Sequence, residues 1–132
     1  MDIDTASLFE RIAWRVFPVL KIIELDTKKL AVLALRGDPL GQADADLIRE
    51  KSREVVNAGI RHLLFDMTEV RHINSAGLGA LMAALLTMTR ERGTVQFAGT
   101  GPHVDKILAM TRLNKIFDIV PSVNDAVHKW AG

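Results

Sequence analysis

The sequence has no cysteine among its 132 residues. This absence excludes disulfide bonds, thiolate zinc sites and cysteine nucleophiles, and it is compatible with a reducing compartment. Net charge is also nearly absent, because 17 basic side chains oppose 16 acidic ones and leave a formal charge of +1. Charge therefore indicates neither nucleic-acid binding nor attraction to an anionic membrane surface.

Long apolar runs are lacking as well. The longest covers residues 76–86, which is about half of the roughly 20 residues that a membrane-spanning helix needs. The N-terminus carries Asp2 and Asp4 before its apolar residues, the wrong charge for a secretory signal. The simplest interpretation is a cytoplasmic protein, not inserted in a membrane, that forms one domain large enough to bury a core.

What the sequence does contain is an alternation of short β-rich runs and longer helical ones. Predicted strands at 19–25 and 30–35 are joined by a turn at 26–29 into a hairpin. Further strands are predicted at 61–66, 94–98 and 116–120, and helices at 42–57, from 74 to about 90, from 102 and from 122. The order ββαβαβαβα predicts an α/β fold in which helices pack on a mixed, mostly parallel sheet of about five strands.

Residues 1–18 are predicted to form an extension to a domain at residues 19–132. Within the extension, Leu8, Ile12 and Val16 recur at helical spacing, which predicts an additional amphipathic helix. Its role would be packing or self-association, so a homodimer is one possible state of the protein.

The candidate site lies in the segment from Asp66 to Gly79, where a predicted central strand gives way to a helix. Ligands and partners of open α/β sheets gather at the carboxyl ends of the strands. Asn74 is predicted to be the N-cap of the helix, and Ile73 and Leu78 have the spacing of a hydrophobic staple. The polar residues of this segment are therefore better candidates for a functional role than similar residues elsewhere in the sequence.

Gly77 and Gly79 stand where the helix begins, although each glycine costs roughly 0.8–1 kcal/mol relative to alanine. Tight packing within the chain or close approach of a partner would explain them. Ser75, beside them, has three interpretations: an accessory capping residue, a nucleophile, or a phosphorylation site. The nucleophile is the weakest, because the sequence lacks the first glycine of a G-x-S-x-G elbow. A phosphate would switch binding without unfolding the chain, since a helix N-terminus tolerates its charge and an apolar interface does not.

No catalytic, metal or cofactor site is predicted. The four histidines, at positions 62, 72, 103 and 128, lack metal-ligand spacing. Gly99-Thr100-Gly101 lacks the third glycine of a phosphate loop, so a plain turn is favoured. Met82, Met88 and Met110 are predicted to fill the core.

Two segments, FDMTEV at residues 65–70 and INSAGLG at residues 73–79, resemble the signature of STAS domains. These are the sulphate-transporter and anti-sigma-factor-antagonist domains. Supporting similarities lie at Gly37, Gly93, Ala126 and the segment FDI at residues 117–119. The resemblance extends over residues 19–130, nearly the whole chain, and it implies the α/β fold that the periodicity predicts.

As a stand-alone domain, the chain most resembles a bacterial anti-sigma factor antagonist. In that class the serine matching Ser75 is phosphorylated by an anti-sigma factor that is also a kinase, and a phosphatase reverses the modification. The resemblance implies a partner-binding face, not a catalytic site. Its residues would be Asp38, Pro39, Leu40, Gly41, Asn74, Ser75, Ala76, Gly77, Leu78 and Gly79.

One position departs from the family pattern, which has aspartate where this chain has Asn74. Asparagine keeps the helix cap but removes a negative charge beside the hydroxyl. The alternative function is therefore a STAS scaffold that phosphorylation does not control, either in a stress-signalling assembly or as a transporter accessory.

Overall fold

The computed structural model describes residues 18–25 and 28–131. The helix predicted around Leu8, Ile12 and Val16, and the first half of the predicted hairpin turn, lie outside these residues. The strands are β1 (Val19–Leu25), β2 (Lys28–Gly37), β3 (His62–Val70), β4 (Thr94–Ala98) and β5 (Asp118–Val120). The helices are α1 (Gln42–Asn57), α2 (Ser75–Arg90), α3 (Pro102–Met110) and α4 (Val123–Ala131). The predicted order ββαβαβαβα is confirmed for this part of the chain.

The five strands form one sheet in the order β1-β2-β3-β4-β5. β1 is antiparallel to β2, and the other neighbours are parallel, so the predicted mixed and mostly parallel sheet is confirmed. One row of the register runs through Leu33, Phe65, Phe97 and Ile119. Because β2 to β5 are parallel, their carboxyl ends lie at one edge of the sheet, and β1 begins at that edge.

Both faces of the sheet bury apolar side chains. On one face, α1, α2 and α3 cover the larger core, where the rings of Phe65 and Phe97 lie 5.5 Å apart and that of Phe117 stacks on Phe97 at 4.2 Å. On the other face, Ala126 of α4 packs into a smaller cluster that includes Leu64. Alternation along each strand supplies the two sets, as expected for a sheet covered on both sides.

The helix ends follow local sequence signals. α1 ends at Asn57, and the predicted glycine follows its cap Ala58: Gly59 adopts a positive φ of 81°, which glycine tolerates best. Pro102 is the first residue of α3, where its missing N–H costs nothing. Before α4, the N–H of Asp125 donates to Ser122 Oγ at 3.1 Å, as the predicted capping pair requires. No helix in residues 18–25 and 28–131 is long and apolar enough to cross a membrane.

Three details differ from the sequence prediction. β3 continues past Asp66 to Val70, because Glu69 and Val70 still pair with Arg36 and Gly37 of β2 after a shift in register, and Met67 and Val70 are buried. The last strand is shorter than predicted, since a 3₁₀ turn at Leu113–Lys115 precedes it and Ile116 is 59% exposed. The core position predicted for Met110 is wrong: this last residue of α3 is 73% exposed.

Candidate functional site

The start of α2 is held by its predicted cap. Asn74 has extended backbone angles (φ −103°, ψ −179°), and its Oδ1 accepts a hydrogen bond from the N–H of Gly77 at 3.1 Å. Ile73 is buried and Leu78 packs against the same core, as the predicted staple requires. Ser75 is consequently the first residue of the helix, directly after the cap.

The loop at residues 38–41 is fastened to the segment that leads into α2. The N–H of Leu40 donates to the carbonyl of His72 at 2.8 Å, and the N–H of Asn74 donates to the carbonyl of Leu40 at 3.1 Å. These bonds make Leu40 and Ile73 an isolated pair of parallel bridge residues. The two predicted binding segments, far apart in sequence, therefore form one continuous surface.

Glycine permits this close approach. A Cβ atom on Gly77 would lie only 2.2 Å from the carbonyl oxygen of Leu40, and one on Gly41 only 2.5 Å from Nδ2 of Asn74. Gly41 also opens α1, where its N–H donates to the carboxylate of Asp44 at 3.1 Å. Packing within the chain thus explains Gly77, which was one of the two alternatives for the glycines of α2.

Exposure divides the ten predicted binding residues into three groups. Asp38, Pro39, Asn74, Ser75 and Gly79 are exposed; Ala76 and Leu78 are half-buried; Leu40, Gly41 and Gly77 are buried. The buried three shape the backbone and offer no side chain to a partner. The exposed five lie on the surface that the loop and the helix start create.

The hydroxyl of Ser75 is exposed and makes no hydrogen bond to another residue within 18–25 and 28–131. Capping is carried out by Asn74, so an accessory capping role for Ser75 gains no support. The hydroxyl lies at the positive end of a sixteen-residue helix dipole, where an added phosphate is electrostatically tolerated.

His72, two residues before the cap of α2, contacts two side chains that sequence reasoning did not bring together with it. His72 Nδ1 contacts the carboxylate of Asp38, and the ring of His72 meets the ring of His103 edge-on at 4.6 Å. Arg71 is exposed beside them. The residues are more than 30 positions apart in sequence, so only the parallel strand ends and the start of α3 bring them together. Among the described residues, no group of three or more potential ligands is arranged to hold a metal ion.

A second cluster of polar side chains lies at the start of β5. The carboxylate of Asp118 accepts hydrogen bonds from Gln96 Nε2 at 2.6 Å and from Lys129 Nζ at 3.3 Å. The bond from Gln96, with a smaller contribution from Lys129, lowers the pKa of Asp118 below its ordinary value. This cluster ties α4 to the edge of the sheet and takes no part in the surface around Ser75.

The fold and the surface define an open α/β domain that presents a serine at the carboxyl edge of its sheet. The sequence model of the STAS domain matches residues 23–126. The chain belongs to the STAS domain family, as its sequence signature implies.

Relatives share the architecture over most of their length. A homologue of a candidate anti-sigma factor antagonist from Thermotoga neapolitana is 24% identical over 79 residues, which cover 60% of this chain and 70% of that protein. The crystal structure of a candidate anti-sigma factor antagonist from Thermotoga maritima has a TM-score of 0.71 at 20% identity, covering 83% of this chain and 92% of that one.

The Bacillus cell fate determinant SpoIIAA, an anti-sigma factor antagonist, has been solved in two forms. Its unphosphorylated form matches with a TM-score of 0.66 at 16% identity, covering 86% of this chain and 99% of that one. Its phosphorylated form matches with a TM-score of 0.64 at 16% identity, over 84% and 98%. The chain therefore has the fold of anti-sigma factor antagonists.

Proposed function

We propose that this protein is a cytoplasmic anti-sigma factor antagonist, a binding module rather than an enzyme. Its partner is an anti-sigma factor with serine kinase activity, and phosphorylation of Ser75 switches the binding off. A phosphatase that removes the phosphate restores the binding form. The binding face comprises the loop at residues 38–41 and the start of α2 at residues 74–79.

The observation that carries this proposal is the position of Ser75. Ser75 is exposed, and its hydroxyl makes no hydrogen bond within residues 18–25 and 28–131. It follows the capping residue Asn74 directly, on a backbone held by hydrogen bonds to Leu40. A kinase can therefore reach the oxygen without unfolding the helix. Because the surrounding backbone is fixed, a change of charge at this oxygen alters the surface and leaves the fold intact.

The modification has a simple chemical balance. A bond forms between Ser75 Oγ and the γ-phosphorus of ATP, the bond from that phosphorus to the bridging oxygen breaks, and ADP leaves. The hydroxyl proton passes to a base of the kinase. The product carries about −1.5 to −2 charges at neutral pH, which the N-terminus of α2 stabilises.

The same charge opposes docking. Burying a phosphate against an uncharged partner surface removes its hydration without supplying a counter-charge. Arg71, four residues before Ser75 in the sequence, is an exposed cation on the same segment. Asn74 adds no negative charge where the family pattern has aspartate, so the unphosphorylated form has no carboxylate directly before Ser75.

The test uses purified kinase-class anti-sigma factors from the source organism. Incubation with the cognate one and ATP should add one phosphate, which mass spectrometry should locate at Ser75. Ser75→Ala should bind like the unmodified protein, and Ser75→Asp should bind about tenfold more weakly or worse. Asn124→Asp is the matched control, because it adds the same charge to the first turn of α4, on the other face of the sheet.

Equal binding by Ser75→Ala and Ser75→Asp would contradict the switch. If the protein also assembled into a large complex, and neither substitution changed that assembly, the STAS scaffold without phosphorylation control would be the better description. If the pure protein hydrolysed an ester and Ser75→Ala abolished that activity, Ser75 would instead be a nucleophile.

A further inference from the structure

The face of the sheet on which α4 lies, here called the second face, is buried beyond the reach of that helix. Leu30 and Val32 of β2 lie on it and are only 1% and 6% exposed, and Ile23 of β1 packs against the same cluster. Ala31 and Leu33, which alternate with them along β2, belong to the larger core on the opposite face. These exposures are those of one chain by itself, so the cover over β1 and β2 belongs to this chain.

α4 occupies the other half of the second face, because it packs mainly against β3, β4 and β5. Its last turn is held at the far edge of the sheet, where Lys129 bonds to Asp118 of β5 and Trp130 lines a cavity together with Gln96 of β4. A helix is about 10 Å wide and strands are about 4.8 Å apart, so α4 covers two or three strands. Within residues 18–25 and 28–131, no other helix contributes to the apolar cluster of the second face.

Residues 1–17, outside the described ranges, are the one remaining stretch of chain long enough to cover two strands. Leu8, Ile12 and Val16 have the helical spacing noted above, and Phe9 adjoins their row. Glu10 is nearly opposite Ile12 on such a helix. The sequence therefore predicts a helix with one apolar side, as a cover for an apolar sheet requires.

The connection to β1 fits the same arrangement. Pro18 directly precedes β1, and proline disfavours helical angles in the residue before it, so the predicted helix ends at Phe17 and the chain can turn. Ser7 and Glu10 have the spacing of a capping box at the other end. A helix over residues 8–17 would be about 15 Å long. This length exceeds the roughly 7 Å between Leu30 and Val32, two residues apart on a strand.

We infer that residues 1–17 fold back at Pro18 and dock on the β1–β2 half of the second face, over Ile23, Leu30 and Val32. The segment completes the smaller core and is not a free arm for a partner. The folding unit then begins within residues 1–17 rather than at β1. The proposed binding face at residues 38–41 and 74–79 does not depend on this docking.

The experiment measures how fast a thiol reagent modifies a single cysteine introduced into the full chain, which has none of its own. Val32→Cys places the thiol beneath the proposed cover. Adding Ile12→Gln should accelerate its modification about tenfold or more, because the cover then opens locally. Glu10→Gln is the matched control, since glutamine also serves in a capping box, and it should leave the rate unchanged.

A second thiol reports on the rest of the same face. Ala98→Cys lies on β4 in the cluster that includes Ala126 of α4, so Ile12→Gln should change its rate by less than about twofold. Equal acceleration of the thiols at residues 32 and 98 would overturn the inference, because it would indicate general loosening. If Ile12→Gln does not fold, Ile12→Ala provides the same comparison with a smaller change.

Two further outcomes would also contradict the docking. One is a thiol at residue 32 that reacts as fast in the Glu10→Gln chain as in the Ile12→Gln chain. The other is protection of that thiol that disappears on dilution while sedimentation shows a dimer dissociating, since a second copy would then be the cover. Protection that is independent of concentration in a monomer, and that Ile12→Gln removes, supports the inference.

Discussion

Helices α1 and α2 have the same length and bury their inner faces in the same core, yet their outer faces differ in kind. α1 exposes charged side chains, some paired at helical spacing, such as Lys51 with Glu54 at 3.3 Å. α2 exposes a serine, a glycine and a leucine before its last two residues, Thr89 and Arg90. Burial in the core cannot account for this difference, because it concerns only the inner faces. The outer face of α1 is suited to water, whereas the residues of α2 before Arg90 carry no charged side chain.

The helix starts differ in the same direction. α1 begins at Gly41, whose N–H is held by the carboxylate of Asp44. α2 begins at Asn74, which bonds both to Gly77 and to the loop through Leu40. The start of α2 is therefore anchored both within its own helix and to a loop that is remote in sequence.

The largest expected effect concerns the close approach at Gly77. Gly77→Ala forces a methyl group against the carbonyl oxygen of Leu40. The two residues cannot easily move apart, because hydrogen bonds fix the backbone of the loop to that of the segment leading into α2. We expect a loss of about 3 kcal/mol in the free energy of unfolding, measured by urea denaturation. Ser52→Ala, at a buried position of α1, should cost only about 1 kcal/mol, because it removes one hydroxyl that donates to Ile48. Equal losses in the free energy of unfolding from the two substitutions would contradict a special role for the close approach at Gly77.

The next effect compares the two helix starts. Asn74→Ala removes the acceptor for the N–H of Gly77 and should cost about 1 kcal/mol of stability. Asp44→Ala removes the contact to the N–H of Gly41 and should cost about half as much, since it sits in the exposed first turn of α1. Thermal unfolding of both variants measures the difference. A larger loss from Asp44→Ala would reverse the comparison.

A matched pair of leucines tests the outer faces. Leu86 on α2 is 52% exposed and Leu47 on α1 is 38% exposed. Replacing either by lysine should change stability by only about 0.5 kcal/mol, as both positions reach solvent. Neither substitution should weaken binding of the anti-sigma factor in a calorimetric titration, because both leucines lie outside the proposed binding face at residues 38–41 and 74–79. A loss with Leu86→Lys alone would extend that face along α2.

The smallest expected effect on stability concerns Asp118, which lies away from both helices. The lowered pKa of Asp118 means that its charged form stabilises the fold above the unfolded value, near 3.8, and that this contribution disappears as the pH falls through the lower folded value. Asp118→Asn should therefore be slightly less stable at neutral pH, by less than about 1 kcal/mol because the carboxylate is half exposed and screened. The two proteins should converge in stability in strong acid, and a difference that persists there would point to packing instead.

Much of the architecture could be predicted because its signals are local. The bounds of α1, the cap at Asn74 and the positive φ at Gly59 all follow from side chains within a few residues. The end of β3 could not be placed in this way. Asp66 looks like the end of an apolar run, and only the pairing of Glu69 and Val70 with β2 extends the strand.

The candidate site shows the same division. Polar residues and glycines at a strand-to-helix junction drew attention to Ser75, whereas the loop at residues 38–41 was implied only by the resemblance to STAS domains. The sequence did not predict the contact between Asp38 and His72, nor the edge-on contact of His72 with His103. Pairs of this kind depend on how strand ends align, and no periodic pattern encodes that alignment.

By itself, then, the sequence determined the alternation of strands and helices, the capped start of α2 and the family to which the chain belongs. These properties rest on local backbone preferences and on the spacing of apolar side chains. Only the tertiary structure distinguished the two glycines of α2, since the space around a missing side chain is set by residues remote in sequence. Gly77 faces the carbonyl of Leu40, whereas Gly79 faces open solvent.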